Sequence, residues 1–555
     1  MATLLNVRVV ATVFFVSTLV ILKLFPSILV IRPSDDVLST FPKAFAAVFS
    51  VLCMMHFLWS FVIHPLFISP LRNLPQPKWF LVRLIKSQIV RQEHQGQLLL
   101  EVAQSTPNDG LLLLREGMQD RVLVVSTPIV AELLVQKPYD FIKPPNISNF
   151  MRSFLGDGLI IVEGDRHKWL RKHSQRAFTY RHIKDLYPMM WGKAQMFLKD
   201  MQIEVARQQQ GLPPDPGAAG RFELTKWMEN VTFDIIGLAG LGRDFNLVRG
   251  SDDELARGYR DVTGPHMLLY FVLSAWFSFS FVQCLPWNKN KVFNNGTQSM
   301  RRVCQHLVQE KKSLLATPAG DQVDILSRLV ETDSFSDDDL AEQMLTYLVA
   351  GHDTTSATLT WVFYLLAKYP LWQAKLRDEV TEADSQLAGK SSVDMTLESL
   401  PILNGVINET LRLYPTVPVT TRIAVKDTTL GGHLIPEGTN LLVSPWLSNR
   451  SHEQWGARAE EFDPARWVDA RGRPNNSGGA GNNYGLLTFL HGPRSCIGKD
   501  FAKAELRCIL ATIVKAFEWS LDMDEKEVIA AGAITIKPQN GLFLKMKSVN
   551  IASAS

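Results

Sequence analysis

The stretch Phe489-Leu490-His491-Gly492-Pro493-Arg494-Ser495-Cys496-Ile497-Gly498 sets one cysteine among two glycines, a cation and an aromatic ring. A thiolate that ligates iron needs a rigid, dry pocket, because hydrogen-bond donors and burial around the sulfur set its redox behaviour. Each part is present. Gly492 and Gly498 permit tight turns that aim amide N–H groups at Cys496, Phe489 can shield the sulfur, and Arg494 offers a fixed cation for a carboxylate. A helix beginning at Gly498 places the sulfur near its positive end, which favours thiolate over thiol. Taken alone, a single cysteine is more commonly a small buried hydrophobe. Two other stretches bear on the chemistry. Ala350-Gly351-His352-Asp353-Thr354-Thr355 is a poor choice for a helix interior, since Gly costs about 1 kcal/mol against Ala and threonines compete for backbone hydrogen bonds. A local rule broken inside an element marks a candidate functional site, with a tolerated kink as the alternative. Glu409 and Arg412, three apart on a helix, can pair, and such a pair is by itself an everyday surface salt bridge.

The elements that must carry these residues are legible. Asp337 to about Lys368 reads as one long helix: Ser336 can cap it, Asp337, Asp338 and Asp339 fill its first turn, and Pro370 stops it. At ~1.5 Å per residue it is a rod of roughly 48 Å, long enough to cross a domain. A second helix holds Glu409 and Arg412 and ends before Pro415. A third follows Cys496, with Leu506, Leu510, Ile513 and Phe517 on one face. Arg422–Val425 and Thr439–Val443 alternate as strands do. Residues 208–220 and 471–485, rich in Gly, Pro and Asn, read as surface insertions, and there is no internal repeat. The fold class expected is mainly α with a smaller β portion.

Composition narrows the class. The chain has 555 residues, 46% hydrophobic and 20% charged, with a formal charge of +3; a large core can form and no basic block suggests nucleic acid. Five scattered cysteines make neither a disulfide framework nor a zinc spacing. The sequon at Asn408 lies inside a patterned helix, and a reducing, cytosolic setting fits the main domain. The N-terminus differs. Val9–Leu22 is apolar, and Ala44–Ile68 runs 25 residues without Asp, Glu, Lys or Arg, long enough to span a bilayer. We therefore expect residues 1–69 to be an anchor of one or two transmembrane helices, 70–547 the main domain after a proline-rich hinge, and 548–555 a tail. Arg72, Lys78, Arg83 and Lys86 after the second segment favour a cytosolic main domain, against Lys23, Arg32 and Lys43 in the connecting loop. Met267–Val282 is a third apolar run, short for a span.

The pattern F-x-x-G-x-R-x-C-x-G resembles the haem-binding signature of the cytochrome P-450 superfamily, and the resemblance extends in order and spacing over about residues 70–547. It implies the P-450 fold, and haem b with Cys496 as axial iron ligand, cradled by Phe489, Gly492, Arg494 and Gly498. Ala350–Thr355 is similar to the oxygen-activating turn of the family's long central helix, which makes Asp353 and Thr354 the proton-delivering acid and alcohol. Glu409-x-x-Arg412 matches the E-x-x-R motif, and Phe462–Trp467 the segment whose arginine, Arg466, completes that structural ion-pair network. Gly164–Arg171 resembles the helix that binds a haem propionate; His167 stands where the family commonly has Trp, with Trp169 out of register, so His167 and Arg171 are the implied partners. Arg422 is similar to another propionate partner.

By the same resemblance the activity is monooxygenation: one oxygen atom of O2 enters a lipophilic small molecule, a secondary-metabolite intermediate in the fungal members it looks like, with electrons from an NADPH-cytochrome reductase. Lys499, Lys503 and Arg507 form a basic stripe that could dock that reductase or be an ordinary solvated face. Substrate-facing candidates are 146–154, 346–349 and 417–421. The expected location is the endoplasmic reticulum membrane, in contact with lipid and with no nucleic-acid partner. An oxygen-independent haem-thiolate isomerase or dehydratase, a fatty-acid or xenobiotic hydroxylase and a non-catalytic haem sensor are the alternatives; the Asp353–Thr354 pair argues for oxygen chemistry.

Overall fold

The computed structural model describes residues 37–549 except 117–119, 211–218, 265–266, 277–278, 317–322, 384–392 and 533. Helices dominate, with a five-stranded sheet and smaller β units at the periphery. Eight helices matter most here: α1 (Val37–Leu58), α2 (Pro145–Leu155), α3 (Gly164–Ser174), α4 (Leu224–Ile236), α5 (Asn288–Leu315), α6 (Asp337–Lys368), α7 (Pro401–Leu413) and α8 (Lys499–Ala516).

Helix α6 is the predicted rod. The Ser336 hydroxyl accepts from the Asp339 N–H at 3.1 Å while the Ser336 N–H donates to the Asp339 carboxylate at 3.3 Å, a reciprocal cap. The helix runs unbroken through Gly351. The hydroxyls of Thr354, Thr358 and Thr360 donate to the carbonyls four residues back at 2.7, 2.9 and 2.8 Å, so a potential conflict with the helix ladder is resolved within the helix. Helices α4, α5 and α8 pack around it. The fully buried Trp361 stacks on Tyr414 at 4.3 Å, and Phe363 lies 4.8 Å from Trp519, which locks the far half of the rod into the core.

In the sheet, β1 (Leu111–Arg115) pairs antiparallel with β2 (Asp120–Val124), and β2 pairs parallel with β5 (Asn440–Val443). Strand β5 then pairs antiparallel with β4 (Thr420–Ala424), whose other edge meets β3 (Phe141–Ile142). Both strands expected from alternation, at 422–425 and 439–443, fall here. A three-stranded unit joins 219–223, 543–548 and 517–521.

The second apolar N-terminal segment departs from expectation. Val9–Leu22 lies outside the described residues. Ala44–Ile68 is not one α-helix: α1 ends at Leu58 and the chain continues in π winding over Trp59–Ile68, across Pro65. Among the described residues no helix is long and apolar enough to cross a membrane. Met267–Val282 is likewise divided between two short helices, Met267–Trp276 and Phe279–Cys284, and Tyr270 stacks on Phe293 of α5 at 5.2 Å.

Candidate active site

Cys496 sits just before α8. Its surroundings are deep in the protein, yet the cysteine itself has open surface. Halfway along α6, otherwise buried, Val349, Ala350, Gly351, Asp353 and Thr354 are also partly accessible. Both elements therefore carry accessible surface within otherwise buried surroundings. The loop is shaped for this. Gly492 has φ +76°, and a Cβ there would stand 2.1 Å from the Leu134 carbonyl oxygen, so only glycine fits. The Cys496 N–H donates to the Phe489 carbonyl at 2.8 Å. Gly498 has an ordinary φ of −89° as the N-cap of α8; its contribution is an N–H directed at the sulfur. Burial pushes the Cys496 thiol up, and the Gly498 N–H and Arg171 offset only part of this.

A cation cluster adjoins the loop. Arg171 of α3 donates to the Ser495 carbonyl at 2.6 Å, clasping the residue before the cysteine. Arg494 donates to Glu163 and to the Pro138 carbonyl and lies 4.9 Å over the Tyr139 ring, while its buried Nε has no protein partner. Lys143 meets Glu163 at 3.2 Å, and burial, with Arg422 and Arg494 nearby, lowers its pKa to about 8. Arg422, 3% exposed, is lowered to about 10 by burial and Arg494, and it donates to Thr420 Oγ1 and the Thr421 carbonyl. His167 is buried with its Nδ1 3.5 Å from the Tyr139 hydroxyl; burial, Arg494 and Lys143 lower it to about 4, so it is neutral. Lys143 and Arg494 thus pair with one carboxylate, Glu163, while Arg422 has, among the described residues, only hydroxyl and carbonyl acceptors, an excess of positive charge that suits a dianionic group. Lys143, Glu163 and Tyr139 were not found by sequence reasoning; their positions follow the sheet edge at β3 and the start of α3, far in sequence from Cys496.

On α6, Thr354 bonds back to Ala350, and Asp353 is held by Lys537, 2.7 Å from its Oδ1, and by the Thr535 hydroxyl. Burial would raise Asp353, but Lys537 and Thr535 outweigh it and hold it below the usual carboxylate range. His352 turns the other way, to Thr232 at 3.0 Å.

Glu409 and Arg412 are both fully buried, joined by two bonds of 2.8 Å. Arg412 also donates to the carbonyls of Asn449, Ala459 and Glu461; Glu409 accepts from Arg466 at 3.3 Å, Trp467 Nε1 at 2.9 Å and the Asp463 N–H at 3.1 Å. The bland surface reading of this pair is excluded. The basic stripe is also revised: Arg507 bonds to Asn404 at 2.8 Å and to the Tyr187 hydroxyl at 2.9 Å, with its side chain only 13% exposed, so it belongs to the packing of α8.

A cysteine loop with accessible surface, a long core helix whose middle turn is accessible and a cluster of buried cations beside the cysteine together fit a haem-thiolate enzyme. The family described as Cytochrome P450 matches residues 73–546, and the chain belongs to it. It is 36% identical to the cytochrome P450 monooxygenase sphH of Aspergillus fumigatus, covering 93% of this chain and 96% of that one. It is 34% identical to ptmK of Penicillium ochrochloron (89% and 97%) and 31% identical to FUM15 of Gibberella moniliformis (91% and 94%), both also cytochrome P450 monooxygenases. The protein is accordingly a cytochrome P450 monooxygenase by family.

Proposed function

We propose that this chain binds haem b through Cys496 and inserts one oxygen atom of O2 into a lipophilic small molecule, drawing electrons from an NADPH-cytochrome reductase. The observation that carries it is the pairing of the Cys496 loop with the cation cluster: one soft ligand for iron and a surplus of buried positive charge for two propionates. Arg494, Arg422, Lys143, His167 and Arg171 are the residues that would hold the carboxylates or the loop beside them, and Phe489, Gly492 and Gly498 would shape the sulfur side. Bound there, a thiolate-ligated haem supplies oxygen activation, with the thiolate favouring O–O cleavage.

The chain's own groups do the rest. Asp353 takes a proton from water at its carboxylate and passes it inward, and the Thr354 hydroxyl, whose hydrogen is committed to the Ala350 carbonyl, presents its lone pairs to the water that carries it. Val349 and Ala350 of α6 give the accessible turn an apolar surface, consistent with a lipophilic substrate. The enzymes named above come from filamentous fungi, which supports a secondary-metabolite intermediate as substrate. Exposed apolar side chains from Met54 to Ile68, joined by Trp79, Val82, Ile89 and Val90, support contact with membrane lipid, which we place at the endoplasmic reticulum with the main domain in the cytosol.

The test is reconstitution with a fungal reductase, NADPH and a panel of lipophilic compounds, comparing wild type with Thr354→Ala. Product from wild type, and electron use diverted to peroxide in the variant with haem retained, is expected. NADPH consumption tightly coupled to product in Thr354→Ala would remove the proton role.

A further inference from the structure

Asp353 is one end of a row of three charges. Lys537 Nζ lies 2.7 Å from Asp353 Oδ1 and 2.8 Å from Oε1 of Glu229 on α4. Glu229 is the outermost, its side chain 38% exposed against 19% for Lys537. The segment that carries the lysine is fixed: the Ile536 N–H donates to the Thr416 carbonyl at 2.8 Å, and the Ile536 carbonyl accepts from Trp361 Nε1 at 3.0 Å, on the same helix as Asp353. Other titratable groups face the row. His352 is neutral, lowered to about 4 by burial and Lys537; burial and Asp353 raise the Tyr259 phenol; Glu223 lies on the outer side, near Glu229.

This geometry poses a problem for proton delivery. To serve the interior, Asp353 must leave Lys537, and a buried ammonium left without a partner is strongly disfavoured. Burial opposes the charge on Lys537, but Asp353 and Glu229 outweigh it and hold the ammonium above its ordinary range. Lys537 is therefore too weak an acid to be the proton's source. We propose that Glu229 is a standby counter-ion: it keeps Lys537 compensated while the Asp353 carboxylate swings to the interior, so that Lys537 and Glu229 together position the acid that Thr354 needs. The proton itself comes from water, and Lys537 keeps its own three. This inference rests on the monooxygenase reading of the site.

The exchange makes Glu229 and Lys537 act in opposite directions and only through each other. The purified holoprotein is compared as wild type, Glu229→Gln, Lys537→Met and the double variant. The first readout is the pH at which the infrared band of protonated Asp353 appears, identified by its loss in Asp353→Asn. Glu229→Gln strengthens the remaining pair and moves that pH below wild type, and Lys537→Met moves it above. The second is NADPH consumption with a fungal reductase and no added substrate, in water and deuterium oxide. Glu229→Gln is expected to slow it three- to tenfold with a larger solvent isotope effect, and to add nothing in the Lys537→Met background. Wild-type rates in Glu229→Gln, or the same loss with and without Lys537, overturn the standby role while leaving the monooxygenase reading intact. A wild-type protein with no reductase-dependent consumption overturns that reading and the standby role with it.

Discussion

Two buried carboxyl groups show how environment assigns opposite states to one chemistry. Glu409 accepts from Arg412, Arg466, Trp467 and the Asp463 N–H, an arrangement that only an ionised carboxylate can fill. Removing it leaves the Arg412 guanidinium buried with one fewer partner, so Glu409→Ala is expected to cost about 3–5 kcal/mol, read as a large drop in melting temperature. A loss under about 1 kcal/mol would show that the network is not a lock. Glu505 of α8 is fully buried with neither carboxyl oxygen hydrogen-bonded among the described residues, and burial pushes its pKa well above the ordinary value, which favours the neutral acid. Glu505→Gln preserves shape and charge state and is expected to cost less than about 1.5 kcal/mol; a loss as large as that of Glu409→Ala would mean Glu505 is ionised. The sequence showed the three-residue spacing of Glu409 and Arg412 but not their burial, which comes from the chain folding back at 459–467. Asp353 was similarly visible as an acid, whereas its partner Lys537 lies 184 residues away, where no local pattern announces a contact.

At the scale of elements, the helices were the most legible because their signals are local: the Ser336 cap, the acidic first turn and Pro370 bound α6 where the structure has it. What sequence could not supply was direction. Lys499, Lys503 and Arg507 share a helical stripe, yet Arg507 turns into Asn404 and Tyr187 because α8 is buried on more than one side. The apolar run 44–68 met a length criterion, but it is divided between α and π winding at Leu58. The Cys496 loop is the element whose shape is most demanding. In Gly492→Ala a methyl must displace the Leu134 carbonyl, and the left-handed φ adds about 1 kcal/mol. This variant is expected to lose haem on gel filtration more readily than wild type, whereas Gly498→Ala, with only Phe178 near at 3.9 Å, is expected to retain it. Equal retention by both would contradict the steric argument.

For the molecule as a whole, the interior excludes charge on its histidines. Burial, with Arg450 for His94 and Lys537 for His352, lowers their pKa values to about 3 and about 4. The unfolded chain protonates both near 6.5, so it binds more protons than the folded chain between that value and about 4. Their stabilising effect is complete above pH 6.5 and is lost as pH falls, at about 1.4 kcal/mol per pH unit for each. From pH 7.5 to 5 these two residues are expected to remove about 4 kcal/mol, seen as a falling melting temperature; a flat profile would show that water reaches both rings.

The central claim, that the chain places a thiolate-ligated haem between α6 and α8, is tested most directly by the optical spectrum of the dithionite-reduced protein with and without carbon monoxide. A strongly red-shifted Soret band, abolished in Cys496→Ser, is the predicted result. A band at the position of histidine-ligated haem, or no haem band from folded protein, would contradict it.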